Sequence, residues 1–309
     1  MSAVPIYDWC PGALPYYITS ALAADAIIAR YLEHYVGHVG FDLEWKPTFA
    51  RGARENPVAL VQIATATDVF LFHLSAMSTV PASLMRFLQN SSIIKVGVGI
   101  QNDVKKLYND YRLSVLSCVD LSMFARSVDN PSWNGPFKNP IGLARLVSTY
   151  LGSALSKGSI TRSNWEAFPL SLAQKRYAAN DAHAGYAVYS HLRALDRERE
   201  TPIKQSYYSF HAILGRLYHI PIPNPEQVSS SHNDIWGLSA TSRLVEWFPR
   251  NPEYDPDPPP PSKAPKTSDE QAESPKDTSA EPPNKFSPFR GKGTYKRRRN
   301  KPRSASLLV

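Results

Sequence analysis

The sequence predicts an α/β domain followed by a disordered C-terminal tail. Two observations carry this. Between residues 20 and 200, short β-rich apolar runs alternate with stretches of helical periodicity, the pattern of a sheet flanked by helices. Near Asn251 the composition changes abruptly, to ten prolines in 34 residues with almost no large apolar side chains. At 42% apolar and 20% charged residues, the 309-residue chain as a whole is neither collagen-like, coiled-coil nor wholly disordered.

The elements follow in order. Residues 20–34 (SALAADAIIARYLEH) have apolar residues at helical spacing, and residues 38–45 (HVGFDLEW) read as a strand. VALVQIA from Val58 and VFLFHL from Val69, separated by TATD, read as a hairpin. A helix at residues 83–89, a strand IIKVGVG, a helix at residues 101–111 and a short apolar run at residues 117–124 continue the alternation. PSWNGPFKNP is a turn-rich loop, IGLARLVSTYLG is an amphipathic helix closing on Gly152, and a long helix is expected over residues 170–198. Residues 201–250 form an extension of uncertain role, in which residues 207–218 are expected to be helical before Pro221, Pro223 and Pro225 interrupt the pattern.

Charge is distributed unevenly. The net +8 resolves into +4 for residues 1–250, −5 for 251–284 and +9 for 285–309. Residues 251–284 are expected to be a disordered, acidic, proline-rich linker, because they cannot repay their ordering entropy. KRRRNKPR, residues 296–303, reads as a nuclear import signal or a phosphate-gripping tether, the other reading being a solvated tail. Cys10 and Cys118 form neither a disulfide framework nor a CxxC pair. No run approaches the ~20 apolar residues of a membrane span, and the first twenty residues lack signal-peptide character. An intracellular, nuclear protein without membrane contact is expected.

Three motifs bear on chemistry. In FDLEW, Asp42 and Glu44 lie two apart on a strand and so share a face, among apolar neighbours. Two like charges there raise each other's pKa unless a hard cation lies between them, the other reading being an edge strand with both carboxylates in solvent. Asp103, in GIQNDVKKL, stands in the first turn of a helix, where an acidic residue is also a common cap. Gly97 and Gly99 lack the third glycine of a dinucleotide loop. In QKRYAANDA, Tyr177 and Asp181 are four apart on one helical face, able to hold a water and a metal or simply to pack.

Together, FDLEW, GIQNDVKKL and NWEAFPLSLAQKRYAANDA resemble, in this order, the three motifs of the DEDD superfamily of 3′-5′ exonucleases, in the tyrosine subclass that includes ribonuclease D and Werner-type exonuclease domains. The likeness covers roughly residues 20–200. It implies a ribonuclease H-like mixed sheet flanked by helices. It also implies that Asp42, Glu44, Asp103 and Asp181 bind two Mg²⁺ or Mn²⁺ ions, with Asp42 bridging them, and that Tyr177 orients the attacking water. The implied activity is 3′-to-5′ phosphodiester hydrolysis at single-stranded or recessed ends of nucleic acid. DNA is slightly favoured over RNA, because residues 201–250 do not resemble the C-terminal helical module of ribonuclease D. The alternative is a catalytically silent nucleic-acid-binding or assembly protein that keeps the fold. Trp45, beside the acidic pair, is expected either to pack against the terminal nucleotide or to be a core residue.

Overall fold

The computed structural model describes residues 4–156, 158–220 and 244–258. Its strands are β1 (Tyr16–Ile18), β2 (Gly37–Trp45), β3 (Val58–Ala64), β4 (Val69–His73), β5 (Ile93–Gly97), β6 (Val115–Asp120), β7 (Ser209–Ile213) and β8 (Arg216–Tyr218). The helices are α1 (Ala21–Ile27), α2 (Ala82–Leu88), α3 (Ile100–Tyr111), α4 (Leu121–Val128), α5 (Leu143–Leu151) and α6 (Leu172–Arg197). All eight strands join one mixed sheet in the order β1-β4-β3-β2-β5-β6-β7-β8. The pairs β1/β4, β2/β5 and β5/β6 are parallel and the others antiparallel.

Strand β2 lies at the centre, and alternation sorts its side chains. Phe41 and Leu43 enter the larger core with Leu84, Leu88, Val104 and Leu107. Gly40, Asp42 and Glu44 face the other way, toward α6, where a Cβ on Gly40 would meet the Ala182 carbonyl. A second, smaller core of Leu60, Ala64, Leu71, Trp165, Ala178, Ala179 and Ala182 lies beneath α6. The small residues on the sheet-facing side of this helix let it approach closely. Its start is fixed by a capping box, in which the Ser171 hydroxyl accepts from the Gln174 N–H and the Gln174 side chain accepts from the Ser171 N–H.

The structure corrects the sequence reading in four places. Residues 209–218 are not helical: they form the hairpin β7–β8, which extends the sheet beyond β6. Its two-residue turn, Leu214-Gly215, has positive φ at both positions (50° and 78°), as a type I′ turn requires. The apolar run at residues 117–124 divides into the end of β6 and the start of α4, with Asp120 capping the helix by accepting from the Met123 N–H at 3.0 Å. Residues before the expected start also take part, β1 pairing with β4. The expected linker begins within the fold: Tyr254 packs on Phe137, and its hydroxyl accepts from Arg126 at 2.6 Å. The rest of that linker and the basic tail lie outside the described residues.

Strand β5 carries a fully buried lysine. Lys95 Nζ donates to the carbonyls of Asn90 and Ile93, both at 2.8 Å, and no carboxylate pairs with it among the described residues. Burial pushes its ammonium down to about 7, against an unfolded value of about 10.4. Between these values the unfolded chain binds more protons than the native one, so this residue makes stability rise with pH and fall again as pH drops toward 7. Lys95→Met should therefore be more stable than the wild type at pH 6, with the gap closing as pH approaches 10. Chemical denaturation at several pH values measures this, and a gap independent of pH would contradict it.

Candidate active site

The site forms where β2, α3 and α6 meet. Asp42 and Glu44 come from the C-terminal half of β2 and Asp181 from the middle of α6, and each offers a carboxylate oxygen within 4.8 Å of the others. All three side chains are partly buried rather than turned out on an edge strand. Asp103, in the first turn of α3, stands next to this group: its charge raises the pKa of both Asp42 and Glu44. The structure thus brings together the four carboxylates singled out in the sequence, three in mutual reach and Asp103 beside them.

Their electrostatics are those of a site built around positive charge. Burial, then the charges of Asp103 and Asp181, hold the Asp42 carboxyl well above the usual carboxylate range, offset in part by the Leu43 N–H donating at 2.9 Å. Burial, followed by Asp42, Asp181 and Asp103, pushes Glu44 up to about 10. Burial and then Asp120 push Asp103 up to about 7. Asp181 rises to about 6 through burial, held back by the Tyr177 hydroxyl. Tyr177 in turn is raised by burial and by the Asp181 carboxylate. Four crowded, desolvated carboxyls cannot all ionise without a counter-charge, and a donor set made wholly of oxygen suits Mg²⁺ or Mn²⁺. The residues therefore fit a hard divalent cation.

Two supporting residues were not singled out in the sequence. Asp120 ends β6 fully buried, and besides capping α4 it accepts from the Gly99 N–H at 2.8 Å, fixing the turn from which α3 starts and Asp103 projects. Its signal was an acidic residue at a strand-to-helix junction. Gln62, in β3, lies directly opposite Asp42 in the sheet register. Its signal was the one polar side chain in VALVQIA. Trp45 is partly buried and lies against the larger core, with the Lys106 ammonium 4.8 Å from its ring centroid. Among the described residues, no helix is long and apolar enough to cross a membrane.

Comparison with known proteins bears on the family and the fold. Residues 15–195 match the 3′-5′ exonuclease family. A 3′-5′ exonuclease of Arabidopsis thaliana is 38% identical over 168 residues, covering 53% of this chain and 55% of that protein. The Mus musculus bifunctional 3′-5′ exonuclease/ATP-dependent helicase WRN is 41% identical over 160 residues, covering 50% of this chain and 11% of that protein. The chain thus spans less than two thirds of either relative. Among solved structures, the Aedes aegypti Nibbler EXO domain superposes with a TM-score of 0.52 at 25% identity, covering 62% of this chain and 92% of that one. The catalytic core of RRP6 from Trypanosoma brucei shares the fold, with a TM-score of 0.51 at 22% identity over 64% of this chain and 51% of that one. The ribonuclease H-like architecture and the resemblance to DEDD exonucleases are both upheld, and since the family match spans more than half of its residues, the chain belongs to the 3′-5′ exonuclease family.

Proposed function

We propose that this protein is a divalent-metal-dependent 3′-to-5′ exonuclease that removes nucleotides from single-stranded or recessed 3′ ends of nucleic acid. The observation that carries the reading is the convergence of Asp42, Glu44 and Asp181 within 4.8 Å, with Asp103 beside them. In this reading Asp42, Glu44, Asp103 and Asp181 would hold the Mg²⁺ or Mn²⁺ ions. Bound ions supply a more acidic attacking water and neutralise charge on the departing oxygen. The Tyr177 hydroxyl, poised against Asp181, orients the water for in-line attack, and its ring is fixed by packing near Trp165. Lys46, the residue after β2, pairs with Glu166 at 3.3 Å, and its partly exposed ammonium offers a counter-charge to a phosphate. DNA ahead of RNA is proposed from the sequence of residues 201–250 alone.

The test is degradation of 5′-labelled single-stranded and recessed DNA and RNA with Mg²⁺, with Mn²⁺ and with chelator. A ladder shortening from the 3′ end, abolished by chelator, is expected. Binding without cleavage under every condition would leave the silent nucleic-acid-binding alternative. Tyr177→Phe should lower turnover roughly tenfold to several hundredfold, with KM nearly unchanged. Intact turnover with altered stability would make Tyr177 a packing residue.

Nuclear location is proposed from the basic residues 296–303 alone, which lie outside the described residues. Deleting residues 285–309 should leave turnover at saturating substrate unchanged. Each phosphate neutralised on a single strand contributes ~0.7 to the slope of log affinity against log salt, so nine charges set a ceiling near six, and a fall of about two to four is expected beside the acidic linker. The same deletion should move a fluorescent fusion from nucleus to cytoplasm. An unchanged slope with unchanged location would remove both roles.

A further inference from the structure

Every side chain of β3 (VALVQIA) is buried, and the strand has one polar member. Gln62 is fully inaccessible, yet neither its Nε2 nor its Oε1 has a hydrogen-bond partner. Buried side-chain amides are paired in the large majority of native structures, and an orphaned one opposes folding. An apolar strand that keeps such a group calls for a partner that the packed polypeptide does not by itself supply.

Its position says where that partner is. Asp42 and Gln62 are directly opposed in the antiparallel β2/β3 register. Opposed residues point to one face, with Cβ atoms about 4.5–5.5 Å apart. That face is the one covered by α6: Gly40, two residues before Asp42, abuts Ala182, and Leu60 and Ala64, two residues either side of Gln62, pack with Ala178 and Ala182. The amide therefore lies in the floor of the carboxylate site, roofed by the helix that carries Tyr177 and Asp181. A third orphaned polar atom, the indole Nε1 of Trp165, belongs to the same small core. Asp42 has spare capacity to match: among the described residues its carboxylate accepts one hydrogen bond, from its neighbour Leu43.

We propose that Gln62 is a positioning residue for Asp42. In the ion-loaded enzyme its Nε2 donates to the Asp42 carboxylate, fixing the rotamer in which that carboxylate meets the cations. The inference rests on the reading of the four carboxylates as the metal site. Outer partners of metal-bound side chains typically govern affinity by 10- to 100-fold, and the amide offers Asp42 a donor without adding charge to an already repulsive cluster. Fold stability and metal affinity then pull in opposite directions at this one residue.

Gln62→Leu, close in size and free of polar atoms, tests this in the full chain, with Gln62→Met as an unbranched second variant in case the leucine disturbs packing. Thermal unfolding in chelator, Mn²⁺ binding by calorimetry and steady-state cleavage are measured on each, beside Asp42→Asn. The expected result is an ion-free melting temperature equal to or above wild type, a Mn²⁺ Kd raised 10- to 100-fold, and a lower kcat with unchanged KM for the oligonucleotide. A purely structural glutamine, satisfied by an internal water, would instead lower the melting temperature while Mn²⁺ affinity and kcat stayed at wild-type values, and that result overturns the proposal. If Asp42→Asn weakens Mn²⁺ binding and neither Gln62 variant does, Gln62 alone loses its role. If the wild type binds no Mn²⁺, or Asp42→Asn leaves binding unchanged, the metal-site reading fails and this inference with it.

Discussion

Asp42→Ala should abolish exonuclease turnover, by a thousandfold or more, and leave the protein folded. Asp42 is the carboxylate closest in influence to the other three: Asp103 and Asp181 raise it, and it is the first charge to raise Glu44. If it is shared between two cations, its loss removes a ligand from both. A loss of ~4 kcal/mol in transition-state stabilisation is already about a thousandfold in rate. Stability should move the other way, because deleting one of several mutually repelling, desolvated carboxyls relieves the ion-free site. Cleavage assays and thermal unfolding in chelator measure the two effects separately. Near-wild-type turnover, with contaminating nucleases excluded, would remove the metal-site reading, whereas loss of both activity and fold would make Asp42 structural.

Gly40→Ala should have the largest effect on stability. A methyl group on Gly40 would collide with the Ala182 carbonyl and crowd the Tyr186 nitrogen at 3.0 Å. Both are backbone atoms of α6, so no rotamer change can relieve the clash. The helix must lift from β2 or the fold must give way, at a cost of about 3 kcal/mol or more, the upper end of what overpacking does. In a domain of this size that corresponds to a melting temperature lower by roughly 6–12 °C. Activity should fall further than stability alone explains, because the same helix presents Tyr177 and Asp181 to β2, and a displacement of about 1 Å can cost about a hundredfold in rate. An unchanged melting temperature would show that β2 and α6 are not in backbone contact here.

What the sequence made legible follows from how local each signal was. Asp42 and Glu44 were placed on one face by the period of a strand, and Tyr177 and Asp181 by the pitch of a helix; both pairings hold in the structure. The close meeting of these two elements was not readable locally, since it depends on Gly40 and on Ala178 and Ala182, small residues whose meaning is set by what lies across from them. The β7–β8 hairpin was missed because YYSFHAILGRLY satisfies both periods, and its turn places a leucine, not the usual asparagine or aspartate, at the first positive φ. Tyr254 was missed for a related reason: one aromatic residue among prolines carries no pattern, and its pairing with Arg126 spans more than a hundred positions. Asp120 and Gln62 are not legible because each is the one acidic or amide side chain in a largely apolar run, where only the three-dimensional neighbour gives it a purpose.

The hairpin after α6 also decides how the sheet ends. With β7 laid on β6, the two outermost strands are β1 and β8, three residues each. Short margins of this kind offer little template for pairing with another chain. A fragment stopped at residue 195, where the family match stops, would keep the proposed catalytic carboxylates but leave β6 as a border: six residues, VLSCVD, all buried in the folded protein and carrying a single charge. Exposed in that way, its unpaired backbone groups would be open to pairing with another copy, which light scattering of the fragment would measure as association. The two strands that look dispensable for chemistry thus cover the backbone edge that β6 would otherwise present to another chain.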